Sequence, residues 1–121
     1  MRPIASRIDT GSAQYRDNAA AYRLLVDTLV ERQQVAIDGG RGRERSIERH
    51  LGRGKIMVRD RIDMVVDDGT PLLEFSTLAA YGQYDDGAPG AGIVTGIGVV
   101  QGAPYVFIAN DATVKGGSLL P

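Results

Sequence analysis

Two apolar runs within residues 93–109 constrain this 121-residue chain more than any other stretch. The first places Ile93, Thr95, Ile97 and Val99 on one side and Val94, Gly96, Gly98 and Val100 on the other. A period of two with no charge on either side is the mark of a strand covered on both faces. Gly96 and Gly98 would bare one face so that another backbone or a helix can come close. After Gln101-Gly102-Ala103, Pro104 opens a second run, Tyr105-Val106-Phe107-Ile108-Ala109. Two such runs joined by a short Gly-containing connection predict a hairpin. A polar loop, Asn110-Asp111-Ala112-Thr113-Val114-Lys115-Gly116-Gly117-Ser118, then leaves the sheet.

Ahead of the hairpin the chain reads as helical. Residues 1–16 are polar and without period, which predicts an extended arm. Asp17 or Asn18 can cap a helix running to about Ile37, with Tyr22, Leu25, Val26, Leu29, Val30 and Ala36 as its apolar stripe. Gly39 and Gly40 would end it. A short charged helix is predicted over residues 43–51, with Glu44 and Glu48 one turn from basic neighbours, and Gly52 and Gly54 break it. A third, over about 59–66, carries Ile62, Val65 and Val66 on one face; Val58 stands where a Ser or Thr cap is usual. Asp67-Asp68-Gly69-Thr70-Pro71 is a turn, residues 72–75 a short strand, and no element is assigned to 76–83.

Helices first and strands second predict an α+β fold. About three strands cannot close or cover a sheet, so the hairpin needs partners on both faces. The chain ends where Ser118-Leu119-Leu120-Pro121 resembles a connection into a further element, Pro suiting a helix's first turn. The expectation is the front part of something larger.

Composition closes several chemistries. The absence of cysteine removes disulfides, thiolate nucleophiles and cysteine-bound metals. No apolar run is long enough for a bilayer, and no signal-peptide core follows Met1. The net charge of −1 hides an asymmetry: residues 41–61 hold eight Lys and Arg against three acids, Glu44, Glu48 and Asp60. Such a block could bind phosphate or nucleic acid. It contains no aromatic residue on which a base could stack, and its acids recur at helical spacing, which favours a solvated or subunit-facing helix.

Two glycine motifs are rejected. Gly90, Gly92 and Gly96 precede and enter a strand, whereas a dinucleotide fingerprint leaves a strand and opens a helix. Gly52-Arg53-Gly54-Lys55 lacks the upstream Gly and downstream Ser or Thr of a phosphate loop. His50, the one histidine, has no nucleophile or second ligand beside it and is read as a helix-end hydrogen-bonding group. Asp85-Asp86, followed by Gly-Ala-Pro-Gly, is read as a solvated loop rather than a carboxylate pair. The 110–118 loop is the better place for chemistry. Asn, Asp and Thr offer hydrogen bonds, Gly116-Gly117 can turn backbone N–H groups toward an anion or carbonyl, and Lys115 is the one cation after Arg61.

The succession ERHLGRGKIMVRDRIDMVVDDGTPLLEF, AAYGQYDDGAPGAGIVTGIGVVQG and VFIANDATVKGGSLLP resembles the N-terminal part of a biotin-dependent acyl-CoA carboxylase β subunit, its carboxyltransferase component. The resemblance spans residues 17–121. The YDDGAPGAG approach is most similar to the methylcrotonoyl-CoA or geranyl-CoA branch. Departures are Val58, where the family tends to have Thr, and Gln101 with Ala103-Pro104 at the hairpin turn.

The resemblance implies a crotonase-like (ClpP/crotonase) fold of ββα units: an arm (1–16), a helical segment (17–68), and the start of a carboxyltransferase domain with its first hairpin (69–121). It implies CO2 transfer from N1-carboxybiotin to an acyl-CoA carbon, with thioester oxygen charge held by backbone N–H groups and the substrate proton taken by biotin N1. No side-chain base is required, so no catalytic residue and no metal ligand are assigned. Biotin would be carried by a partner, the biotin carboxylase/biotin carrier α subunit, and the β subunits would form a homo-oligomer. The paired glycines of the oxyanion holes would lie beyond Pro121, leaving this stretch inactive alone. Lys115, Gly116 and Gly117 are the implied CoA contacts. A cytoplasmic location follows, or the mitochondrial matrix in a eukaryote, with neither nucleic acid nor membrane as partner. Two other readings stay open: a non-catalytic module that assembles with carboxylase subunits, and an anion-binding domain using residues 41–61.

Overall fold

A computed structural model describes residues 5–40 and 42–118. The expected connection at Leu119, Leu120 and Pro121 lies outside the described residues. Residues 1–31 and 32–121 form two units, and helix α1 (Ala13–Ile37) contributes to both.

In the first unit, α1 begins four residues before the expected cap. Asp9 folds residues 9–12 into a turn by accepting the Gly11 N–H, and Ser12 Oγ accepts the Tyr15 N–H at 3.2 Å. Ser12 is therefore the cap, and Asp17 and Asn18 lie within the helix. Its apolar stripe is real in spacing but uncovered: Tyr22, Leu25, Val26, Leu29 and Val30 are exposed, and of the helix only Ala36 is buried.

In the second unit, α1 ends as expected, with Gly39 and Gly40 at positive φ returning their N–H groups to Val35 O. Helix α2 (Glu44–Gly52) and the short α3 (Val58–Asp63) follow. Neither has a side-chain cap. Val58 has a different task from the capping residue its position suggested: with Ile62 and Val94 it forms the buried core, against which Val66, Leu72, Phe107 and Ala109 pack. Val65, expected on the same face, is exposed because the helix stops at Asp63 and the chain turns there.

The sheet is antiparallel in the order β1-β2-β3, from β1 (Leu73–Phe75), β2 (Ile93–Val100) and β3 (Ala103–Asn110). The hairpin turn is two residues, Gln101 and Gly102, both at positive φ. That geometry matches the right-handed twist of the strands it joins, so β3 begins at Ala103, two residues before the apolar run.

Of the two faces expected to need cover, one is covered among the described residues and the other is not. Val94, Gly96 and Gly98 are buried toward the core. A Cβ on Gly98 would lie 2.7 Å from Val66 Cγ1, and one on Gly96 3.0 Å from Leu72 Cδ1. The two glycines thus admit the chain that follows α3, as their spacing predicted. Across the sheet, Leu73, Phe75, Ile97, Val106 and Ile108 share the opposite face and are exposed. Polar ties complete the unit. Arg59 meets Glu74 in a two-pronged ion pair, at 2.6 and 3.2 Å, and reaches the Ile37 carbonyl at 3.3 Å. Residues 76–92 run through turns, with positive φ at Ser76, Tyr84, Asp85, Asp86 and Ala91.

Candidate functional site

The 110–118 loop is anchored where β3 ends. Asp111 donates its N–H to Gly92 O at 2.8 Å, tying the loop to the residue that enters β2. The Asp111 carboxylate accepts the Thr113 N–H at 2.9 Å and the Thr113 hydroxyl at 2.6 Å through Oδ1, and the Arg43 guanidinium through Oδ2. Arg43 Nε donates to Thr113 Oγ1 at 2.6 Å, so the hydroxyl accepts one hydrogen bond and donates its own hydrogen to Asp111. Arg43, Asp111 and Thr113 are all buried. A buried charge is tolerated only when paired and hydrogen-bonded, and this cluster meets both conditions.

Gly39 admits the arginine. A Cβ there would stand 1.7 Å from Arg43 Nη1, and its φ of +87° also favours glycine. Arg43, one arginine of the basic block, is therefore an internal strut, contrary to the expectation of a solvated or subunit-facing helix.

Beyond the strut, Lys115, Gly116 and Gly117 form a tight turn, all at positive φ. The Gly117 N–H is spent inside the loop on Val114 O at 2.8 Å, so it does not point outward as its sequence suggested. Lys115 runs past Gly87, whose added Cβ would lie 3.4 Å from the ammonium nitrogen. Lys115 and Gly116 line a cleft of about 200 Å³ with Arg43, Ser46, Gly87 and Thr113.

Gly116 and Ser46 also border a second cleft of about 240 Å³, between α2 and the loop, lined further by Arg49, His50, Arg53, Lys55 and Ala112. His50, Lys55 and Ala112 continue into a third of about 430 Å³, which Arg61 and Asn110 enclose. His50 makes the expected helix-end hydrogen bond, Nε2 to Ile56 O at 3.0 Å.

Sequence reading raised the 41–61 block as an anion site but did not sort its charges in space, although a signal existed. Ser46, Arg49, His50 and Arg53 recur at i, i+3, i+4 and i+7 and share one side of α2, while Glu44 and Glu48 fall on the opposite side. Interleaved in sequence, the charges are sorted in space. Among the described residues the ion pairs are Arg43–Asp111 and Arg59–Glu74, so Arg49, Arg53, Lys55 and Lys115 face these clefts without an acidic partner. Asp85 and Asp86 lie in an exposed turn, where Asp86 accepts the Gly82 N–H. Among the described residues no three His, Asp or Glu side chains converge as a metal site would require.

Comparison with known proteins decides the family. Residues 49–121 match the carboxyl transferase domain. The chain belongs to that family. This carboxyltransferase sequence is 50% identical over 103 residues to the biotin-dependent 3-methylcrotonyl-coenzyme A carboxylase beta1 subunit of Mycobacterium tuberculosis, covering 85% of this chain and 19% of that protein. It is 43% identical to a probable mitochondrial methylcrotonoyl-CoA carboxylase beta chain of Drosophila melanogaster, covering 98% and 20%. Among solved structures, the beta subunit of P. aeruginosa geranyl-CoA carboxylase superposes with a TM-score of 0.79 at 28% identity, over 96% of this chain and 21% of the other. The 12S transcarboxylase hexamer, solved with methylmalonyl-coenzyme A and methylmalonic acid bound, gives 0.64 at 32% identity, over 77% and 18%. The carboxyltransferase chain thus spans about a fifth of the relatives it matches, and its resemblance to the methylcrotonoyl- and geranyl-CoA carboxylase β subunits holds.

Proposed function

We propose that this chain is the N-terminal part of a carboxyltransferase subunit that moves CO2 from carboxybiotin to a methylcrotonoyl-CoA-like thioester. Residues 69–121 begin a crotonase-like domain, and Lys115, Gly116 and Gly117 belong to its CoA-receiving loop. One observation carries the reading: Lys115 and Gly116 border an open cleft whose wall is fixed from behind by the buried Arg43–Asp111–Thr113 cluster. A preformed polar cleft with a cation at its lip suits an anionic cofactor handle. Gly117 contributes by allowing the turn rather than by donating to ligand, since a Cβ there would sit 3.3 Å from Ala112 Cα.

Biotin would be carried by a partner α subunit, as the likeness to biotin-dependent carboxylase β subunits implies. No side-chain base is assigned, and the chain alone is expected to turn over no acyl-CoA. Within the cytoplasm, or the matrix of a mitochondrion, it would act in a β-subunit oligomer. No helix among the described residues is long and apolar enough to cross a membrane.

A second reading, a non-catalytic module that assembles with carboxylase subunits, is favoured by the uncovered apolar face of the sheet. Two measurements separate and test these. Isothermal titration of acyl-CoA into wild type and Lys115→Ala should show weaker binding in the variant; equal affinity removes Lys115 from the site. Assembly with carboxylase subunits but no acyl-CoA affinity in the wild-type complex would favour the module.

A further inference from the structure

We infer that α1 pairs antiparallel with α1 of a second copy of this chain, through the strip Tyr22, Leu25, Val26, Leu29 and Val30. No ligand takes part in the contact, so the CoA reading does not bear on it.

The helix itself calls for a partner. Within residues 13–31 no side chain is buried, and Tyr22, Leu25 and Val30 are each more than half exposed. Helices in proteins owe most of their stability to a packed apolar face rather than to propensity. The five residues stand at i, i+3, i+4, i+7 and i+8 and form one continuous strip. With that spacing two helices can interlock side by side.

Charge decides what occupies the strip. α1 carries Arg16, Arg23 and Arg32 against Asp17, Asp27 and Glu31, so its charges balance. An anionic lipid surface would instead draw a helix with a basic polar face. Along one border of the strip run Arg16, Arg23 and, slightly farther round, Asp27; along the other stand Asn18 and Arg32. Among the described residues, neither Arg23 nor Asp27 belongs to an ion pair, and both are exposed.

Orientation follows from those borders. In an antiparallel pair of identical helices, each border meets its own copy running the other way. With the strips overlapped about their middle, Arg23 comes within a turn of the partner's Asp27. The two-fold axis repeats that contact, so both arginines gain an acid at once. A parallel pair sets one border against the other, and Arg23 then faces the partner's Asn18 with no acid in reach. The charges of α1 are therefore complementary to a second α1 in one direction only.

The test uses the full 121-residue chain carrying Val106→Lys and Ile108→Lys, which silence association through the sheet. Because the chain has no cysteine, one introduced thiol carries the only spin label. Labels are placed at Leu24→Cys and, separately, Asp17→Cys, both on the side of α1 away from the strip, and circular dichroism checks the fold. Electron–electron resonance should find the two labels at 17 roughly 10 Å farther apart than the two at 24, from a rise of about 1.5 Å per residue. Arg23→Glu and Asp27→Arg, which set like charges together, should each weaken the dimer roughly tenfold in analytical ultracentrifugation. Mixing these two variants should restore pairing, since each then supplies the charge the other needs. Equal separations at 17 and 24 would mean a parallel pair and overturn the assignment. So would a monomer without inter-label distances, whose strip is covered by its own chain or by another protein. A dimer indifferent to both charge reversals would overturn it as well, because the contact would then lie on another surface.

Discussion

Arg43 and Asp111, 68 residues apart in sequence, form a buried ion pair that joins the start of α2 to the loop after β3. The pair shares Thr113, which accepts from the arginine and donates to the aspartate. A helix end and a loop are thereby locked into one wall, and both sides of the basic seam take their position from it.

Breaking that pair from one side should be costly. In Asp111→Ala the guanidinium stays buried without a counter-charge, and such losses run to about 3–5 kcal/mol. Arg43→Lys should recover little, because an ammonium cannot serve Asp111 and Thr113 from a planar fork. Arg43→Met with Asp111→Leu should fall closer to wild type than Asp111→Ala, since no charge remains stranded. Urea unfolding followed by circular dichroism ranks the three variants, and equal midpoints for Asp111→Ala and wild type would count against a stabilising pair.

The close approach at Gly98 gives a second expectation. Its Cβ would lie 2.7 Å from Val66 Cγ1 and 2.9 Å from Phe107 Cε2. Gly98→Ala should therefore cost about 1–3 kcal/mol through overpacking. Val66→Ala opens the space, so the double variant should be less destabilised than the sum of its parts. Additive losses in the urea midpoints would show that Val66 is not what Gly98 accommodates.

Asp67 governs the hairpin turn from outside the sheet. Its two carboxylate oxygens accept the Gln101 and Gly102 N–H groups at 2.7 and 2.8 Å, while its own N–H donates to Val99 O at 2.8 Å. Asp67→Asn replaces one acceptor with an amide nitrogen facing a donor. A loss of about 1 kcal/mol is expected, accompanied by faster hydrogen exchange at Gln101 and Gly102. Unaltered exchange at both amides would mean the carboxylate does not hold the turn.

How far these features could be read beforehand depended on whether they are local. Gly39-Gly40 as a helix end, Gln101-Gly102 as a turn and Gly96/Gly98 as a close approach follow from backbone conformation, which neighbouring residues decide. The Ser12 cap was local too, but a second capping signal at Asp17-Asn18 competed with it, and the Asp9 turn settled the choice. The core role of Val58 was not legible because its partner, Val94, comes from a strand 36 residues on. Arg43 was placed among solvated charges for the same reason: only the folded chain brings Asp111 to it. The basic seam lies between these cases. The i, i+3, i+4, i+7 spacing on α2 was legible, while the loop that makes it a cleft was not.

The last prediction concerns the outer face of the sheet. Leu73, Ile97 and Val106 align across the three strands, with Phe75 and Ile108 on the same side, and Val106 and Ile108 are 66% and 74% exposed. Apolar patches of this kind are sites of association, and β3 is an edge strand with open backbone groups. The 121-residue chain on its own should therefore self-associate and bind an apolar dye such as ANS. Val106→Lys with Ile108→Lys should suppress the dye binding and the association that this face causes, because two charges on one exposed face resist stacking against another sheet. The same substitutions should leave the Val58–Ile62–Val94 core intact, since they point away from it. Analytical ultracentrifugation decides the matter. A wild-type chain that sediments as a monomer and melts in one sharp cooperative step would show that the face needs no cover.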